Sequence, residues 1–235
     1  MAILGIIGGI APESTVAYYR LLIAGFRERS PQANPHILLN SIDLTAFLNL
    51  VGTGDRPALA AYLLAEVRRL VDAGADLAFF ASNTPHLVFD EVHRESPVPL
   101  VSIVEAAAAR AKALGFTRLG LLGTRFTMDA PFYSDVGRAH GLTILSPPVD
   151  DRDEVHRIYM TELVAAVFHE QSRQRLLAVV ERLRSQQGAE AVILGGTELP
   201  LILGPGTPSP VPLLDTTAIH VEAVLERLQA MATTS

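Results

Sequence analysis

Cysteine is absent from all 235 residues, and that absence excludes disulfides, thiolate metal sites and every mechanism that runs through a thiol. Positive charge is scarce as well: 19 Lys and Arg stand against 25 Asp and Glu, a formal net charge of -6. The basic residues are scattered, which argues against nucleic acid, whose phosphates call for a clustered basic patch. A membrane-spanning run is also lacking. The apolar N-terminus, Met1 to Ile10, meets Pro12-Glu13-Ser14 after about ten residues and has no basic flank, so it reads as a first strand of a cytoplasmic protein. With 49% hydrophobic residues the chain can bury one large core or two modest ones. The expected partner is a small molecule.

What is present is an alternation of short β-rich apolar runs with longer amphipathic stretches, the pattern of parallel sheets covered by helices. Strands are expected at Ile3 to Ile7, Ile37 to Ile42, Leu77 to Ala81, Leu100 to Ser102, Leu119 to Leu122, Thr143 to Leu145, Ala191 to Leu194 and Leu213 to Leu214. Helices are expected at Glu13 to Arg29, Arg56 to Ala73, Pro85 to Glu95, Ile103 to Leu114, Thr127 to His140, Arg152 to Phe168, Ser172 to Gln187 and Ala218 to Met231. Two of these helices close on Gly-Ala pairs, Gly74-Ala75 and Gly188-Ala189, where glycine suits the backbone of a helix end.

The same pairs open an internal repeat. Gly74-Ala75-Asp76 leads into a strand ending at Ala81-Ser82-Asn83-Thr84-Pro85. Gly188-Ala189-Glu190 leads into one ending at Gly195-Gly196-Thr197-Glu198-Leu199-Pro200, at an offset of about 114 residues. Gly5-Ile6-Ile7-Gly8 matches Gly120-Leu121-Leu122-Gly123 at nearly the same offset. The expectation is an α/β protein of two pseudo-symmetric domains, residues 1–102 with 211–235 and residues 103–210. The Pro- and Gly-rich segment Gly204 to Pro212 would return the last helix to the first half. A pseudo-twofold would bring Ser82 and Gly196, at equivalent strand ends, to one cleft between the domains, where open α/β sheets place ligands.

Gly8-Gly9 could present backbone N–H groups to a carboxylate or phosphate, or could form a plain tight turn. Its spacing is not that of a dinucleotide-binding loop. Ser82-Asn83-Thr84 precedes a helix start at Pro85, so one of the three is expected as a cap. Thr197 and Glu198 would face them from the second half, and polar groups converging from two domains point to a ligand. His86 follows Ser82 by four residues, which on a helical face sets an imidazole beside a hydroxyl as base and nucleophile, with Glu198 as an orienting acid. A core histidine is the other reading. His156 and His220 lack metal-ligand spacing, so no metal is expected. Asp43 is a ligand contact or the cap of a helix starting near Leu44, and Arg125 an anion contact or a surface pair.

Taken in order, several segments resemble the aspartate/glutamate racemase superfamily, and within it the broad-specificity amino-acid racemase branch. They are Gly5-Ile6-Ile7-Gly8-Gly9, Glu13-Ser14-Thr15, Tyr18-Tyr19-Arg20, Asn83-Thr84 with His86, Leu122-Gly123-Thr124-Arg125-Phe126-Thr127-Met128, Gly195 with Thr197-Glu198, and Asp215-Thr216 with Ala218-Ile219-His220. The resemblance covers nearly the full length. It implies two Rossmann-like domains, no cofactor, an amino-acid or small carboxylate substrate and frequently a homodimer. It also implies a reaction in which one group removes the α-proton of an amino acid and another returns a proton to the opposite face. In many members both groups are cysteines, whose pKa of about 8.5 keeps thiol and thiolate both accessible near neutral pH.

By that resemblance the two catalytic positions here are Ser82 and Gly196, with His86 and Glu198 as further catalytic candidates. Gly8, Gly9, Asn83, Thr84, Thr197 and Glu198 are the candidate substrate contacts. The branch can carry a hydroxyl residue at the first position but keeps cysteine at the second, whereas Gly196 has no side chain. Val51 and Val167 fall near places where relatives often hold a distal carboxylate with polar or basic residues, which implies a smaller or more apolar ligand than aspartate. Three readings follow: a racemase or epimerase with a substituted base, a lyase such as a decarboxylase with one proton donor, and a binding protein that kept the site without the chemistry.

Overall fold

The computed structural model describes residues 2–233, and among these the strands form two four-stranded, all-parallel sheets. The first is built from β1 (Ile3–Gly8), β2 (His36–Ser41), β3 (Leu77–Phe80) and β4 (Leu100–Val101), in the order β2-β1-β3-β4. Its helices are α1 (Pro12–Arg29), α2 (Leu44–Thr53), α3 (Arg56–Asp72) and α4 (Phe89–Glu95). The second contains β5 (Arg118–Gly123), β6 (Thr143–Leu145), β7 (Ala191–Gly195) and β8 (Leu213–Asp215), in the order β6-β5-β7-β8. With it go α5 (Ile103–Ala113), α6 (Arg125–Asp129), α7 (Phe132–Ala139), α8 (Val149–Thr161), α9 (Glu170–Gln187) and α10 (Leu199–Ile202), while α11 (Thr216–Thr233) begins beside this sheet and continues into the first unit.

The repeat read in the sequence is thus a repeat of topology. It extends to register, since Gly5 lies beside Ala78 in the first sheet and Gly120 beside Val192 in the second. β3 and β7, Leu-Ala-Phe-Phe and Ala-Val-Ile-Leu-Gly, are buried along their whole length, as central strands with helices over both faces must be.

One unit runs through Ile103 and resumes at His220, and the other is Val104–Ile219. Residues 211–219, expected with the first half, lie with the second. The reason is β8, which pairs with β7 through Val192–Leu213 and Ile193–Leu214 and so satisfies backbone groups that an isolated strand would leave open. The crossing falls inside α11. From His220 onward its apolar stripe, Val221, Val224, Leu225 and Leu228, packs on Leu4, Ile6, Tyr18, Leu22 and Phe79 of the first unit. Each such side chain contributes roughly 1.5–3 kcal/mol through burial.

A buried polar chain runs through this core. His220 Nε2 lies 3.1 Å from the Val101 carbonyl and must donate to it, which leaves Nδ1 to accept from Tyr18 Oη at 2.9 Å. Burial pushes the His220 pKa down to about 4.

Three expected helices are interrupted, and the one over Arg152 to Phe168 ends at Thr161, followed by a 3-10 turn at Leu163–Ala165 and a left-handed Ala166. The stretch Thr127 to His140 divides at Pro131, because Ala130 before it takes the extended backbone that proline imposes on its predecessor. The stretch Pro85 to Glu95 begins as a 3-10 turn over Thr84–Val88 before α4 takes over. No described helix is long and apolar enough to cross a membrane.

Candidate active site

Each central strand ends in a short polar segment. After β3 the chain continues through Ala81, whose N–H extends the ladder to the Ile7 carbonyl at 2.9 Å, and then reaches Ser82, Asn83 and Thr84, all buried. Three-residue turns carry the chain from there. A residue four positions on is therefore not brought round to the same face, and the Ser82 hydroxyl is not hydrogen-bonded to the His86 ring, whose Nε2 is taken by another partner.

His86 is held elsewhere. Its Nε2 accepts from the Ile103 N–H at 3.3 Å, and its ring stacks on Phe89 with centroids 4.7 Å apart and planes 5° from parallel. Phe80 meets the same ring edge-on. Burial first, and His220 second, lower the His86 pKa to about 3, while the nearby Asn83 and Ser82 carbonyls offset part of that. The imidazole is neutral with its proton on Nδ1, which is buried and meets no partner at hydrogen-bond geometry.

The glycine loop after β1 is satisfied internally. Gly9 N–H donates to Thr15 Oγ1 at 3.0 Å and the Gly8 carbonyl accepts from Ile42 N–H at 3.0 Å. Gly9 has φ +85° and a Cβ there would strike the Ile42 backbone, so the turn itself requires glycine. Ala11 sits at φ 45°, a strained value for a residue with a side chain, and its carbonyl accepts from Ser14 Oγ at 2.9 Å.

At the end of β7 the chemistry differs. Gly196-Thr197-Glu198 precedes the short α10, and the Glu198 side chain is buried, at 1% exposure. Tyr159, from α8, donates its hydroxyl to Glu198 Oε2, and Thr197 Oγ1 lies 3.3 Å from the same oxygen. The phenol pKa is raised well above its usual range by burial first and then by the Glu198 charge and hydrogen bond. This places a carboxylate and a phenol proton together at a position shielded from solvent. Sequence reading missed Tyr159. The one signal that could have found it is Gly196, a position without a side chain whose space another residue must fill.

The remaining candidates are structural where the geometry speaks. Asp43 caps α2, accepting from Thr45 and Ala46 N–H at 2.7 and 3.0 Å. Arg125 pairs at the surface with Asp153 at 2.7 Å, and its N–H donates to His156 Nδ1 at 3.1 Å. Among the described residues no group of three or more His, Asp or Glu is arranged to hold a metal ion.

Comparison with known proteins agrees with this architecture. A structure from Yersinia pestis, provisionally described as an Asp/Glu racemase, superposes with a TM-score of 0.87 at 34% identity, covering 97% of this chain and 99% of that one. An aspartate racemase homologue from Pyrococcus horikoshii OT3 gives 0.82 at 36% identity, with 97% and 99% covered. The broad specificity amino-acid racemase RacX of Bacillus subtilis (strain 168) is 22% identical over 225 residues, 92% of this chain and 93% of RacX. The family model described as Asp/Glu/Hydantoin racemase matches residues 7–224, and the chain belongs to that family.

Proposed function

We propose that the chain is an isomerase of this family that moves a proton on and off the α-carbon of a small amino acid or related carboxylate, without a thiol and without a cofactor. The substrate class comes from the relatives named as racemases. In this reading Ser82 and Gly196 stand at the two positions where many relatives carry catalytic cysteines, and their equivalent places in the repeat support it. Asn83, Thr84, Thr197 and the loop at Gly8 and Gly9 contact the bound molecule. The apolar Val51 and Val167 favour a substrate smaller or less polar than aspartate.

The observation that carries the proposal is the Tyr159–Glu198 pair beside Gly196. A chain without cysteine needs another buried group that can hold and release a proton, and this pair is one.

A second reading is favoured by the inequality of the two strand ends. The Ser82 hydroxyl has no bond to His86, and His86 is neutral with Nε2 engaged, so a proton carrier stands at one end alone. One carrier suffices for a lyase. Loss of carbon dioxide from a malonate-like acid leaves an electron pair on carbon that a single donor protonates.

NMR of amino acids, hydroxy acids and malonates in deuterated water tests both. The proposal expects deuterium at the α-carbon together with the opposite enantiomer. Decarboxylation without enantiomer exchange would replace it with the lyase. Ligand-induced thermal stabilisation with no turnover on any compound would leave a binding protein.

A further inference from the structure

We infer that Tyr159 is the catalytic residue at the β7 end, its hydroxyl standing in for the missing thiol, with Glu198 behind it as the proton store. This rests on the proton-transfer reading above and names the groups that perform it.

The argument starts from the space beside Gly196. A Cβ built on that residue would lie 2.7 Å from Tyr159 Oη and closer still to the ring edge, far inside the 3.5–4.0 Å at which carbon atoms rest in contact. The ring therefore fills the volume that a side chain at 196 would need. Its hydroxyl reaches the region into which a cysteine there would project. Gly196 takes no left-handed backbone, so room for Tyr159, not backbone freedom, is what glycine supplies at this position. The arrangement is also enclosed, Tyr159 being 6% exposed and Glu198 1%. A buried carboxylate requires hydrogen-bond donors, and the phenol is one.

The proton balance follows from that bond. As the substrate C–H breaks, its proton passes to Tyr159 Oη while the phenol's own proton passes to the Glu198 carboxylate. The electron pair stays on the α-carbon, delocalised into the adjacent carboxyl group. One O–H bond forms on Oη as the other breaks and forms again on Glu198. Return of the proton is the same path reversed. No free phenolate arises at any stage, so burial and the neighbouring carboxylate, which both hold the phenol neutral, do not oppose the transfer.

The test uses the full chain and the deuterium-exchange assay. Tyr159→Phe keeps the ring and cuts the path, while Glu198→Gln keeps the shape and removes the store. Each is expected to lower exchange by at least about a hundredfold with KM little changed. The double variant should lose no more than the worse single one, as for two groups acting in one relay. Exchange at the unaltered rate in folded Tyr159→Phe overturns the inference and leaves the proposed function standing; should that variant not fold, Glu198→Gln reads the same relay. No exchange in the unaltered protein overturns the function and the inference with it. A separate arm needs no activity: Gly196→Ala should lower the thermal midpoint in the native background and much less beside Tyr159→Ala. Equal losses in both backgrounds would show that the ring does not fill the space.

Discussion

The ends of β3 and β7 occupy the same place in two sheets of the same strand order, each following a fully buried strand, yet they carry different chemistry. At β3 a serine precedes a neutral histidine locked by Phe89 and by the Ile103 N–H. At β7 a glycine makes room for a phenol hydrogen-bonded to a buried carboxylate. The difference arises outside the strands. In the second unit α8 follows β6 and brings Tyr159; in the first α2 follows β2 and contains no tyrosine. A repeat copies the scaffold, which depends on strand burial and register, more faithfully than it copies the groups that neighbouring helices deliver to it.

Acid should separate the units most strongly. His86 and His220 have folded pKa values near 3 and 4, both below the ordinary 6.5. Below pH 6.5 the unfolded chain takes up protons that the folded first unit refuses, so their contribution is whole above that pH and is lost as pH falls toward 4 and 3. For His220 alone the loss by pH 4 is on the order of 3 kcal/mol. Asp215, in the second unit, works in the opposite direction, because burial raises its carboxyl pKa and the folded form keeps its proton more readily. Hydrogen exchange followed from pH 7 to 4 should therefore show protection falling at β1 and β3 before β5 and β7. Equal loss at all four strands would break the comparison.

Restoring thiols should show the next largest difference. Ser82→Cys exchanges one terminal atom of a buried side chain and should cost no more than about 1 kcal/mol. Gly196→Cys drives a side chain into the Tyr159 ring, and overpacking of this kind costs roughly 1–3 kcal/mol. Urea midpoints of the two variants would measure this, and matching midpoints would mean that the β7 end is no more crowded than the β3 end. Racemisation by the double-cysteine protein, with Tyr159 shortened to make room, would support an amino acid as the molecule the site accepts.

Much of the scaffold was legible because its signals are local. Short apolar runs gave all the strands, and the paired Gly-Ala turns gave the repeat. The errors lie where one residue redirects the chain, as Pro131 does, or where a partner lies far along it, as β7 does for β8. The repeat sets Ser82 and Gly196 just past equivalent strands, as the two sheets have it. His86 was read on α-helical spacing, which the 3-10 turn over Thr84–Val88 does not follow. Tyr159 had no local signal, since its part depends on α8 returning to the end of β7.

The smallest expected effect on stability is at Ser82, and it is also the one that most sharpens the contrast. The hydroxyl makes no bond to His86, so Ser82→Ala removes little that the fold uses, and its stability should stay within about 1 kcal/mol of the parent. Its effect on chemistry depends on how the two ends share the work. If the β7 pair takes and returns the proton while the β3 end protonates the other face, Ser82→Ala should still exchange deuterium into the α-carbon but should no longer produce the opposite enantiomer. Chiral chromatography and NMR on one reaction mixture would give both rates. Loss of the two in equal measure would mean that Ser82 takes part in removing the proton and that the proposed division of the ends fails. Exchange that survives while inversion fails would assign proton storage to the β7 end, where the buried carboxylate and phenol stand together.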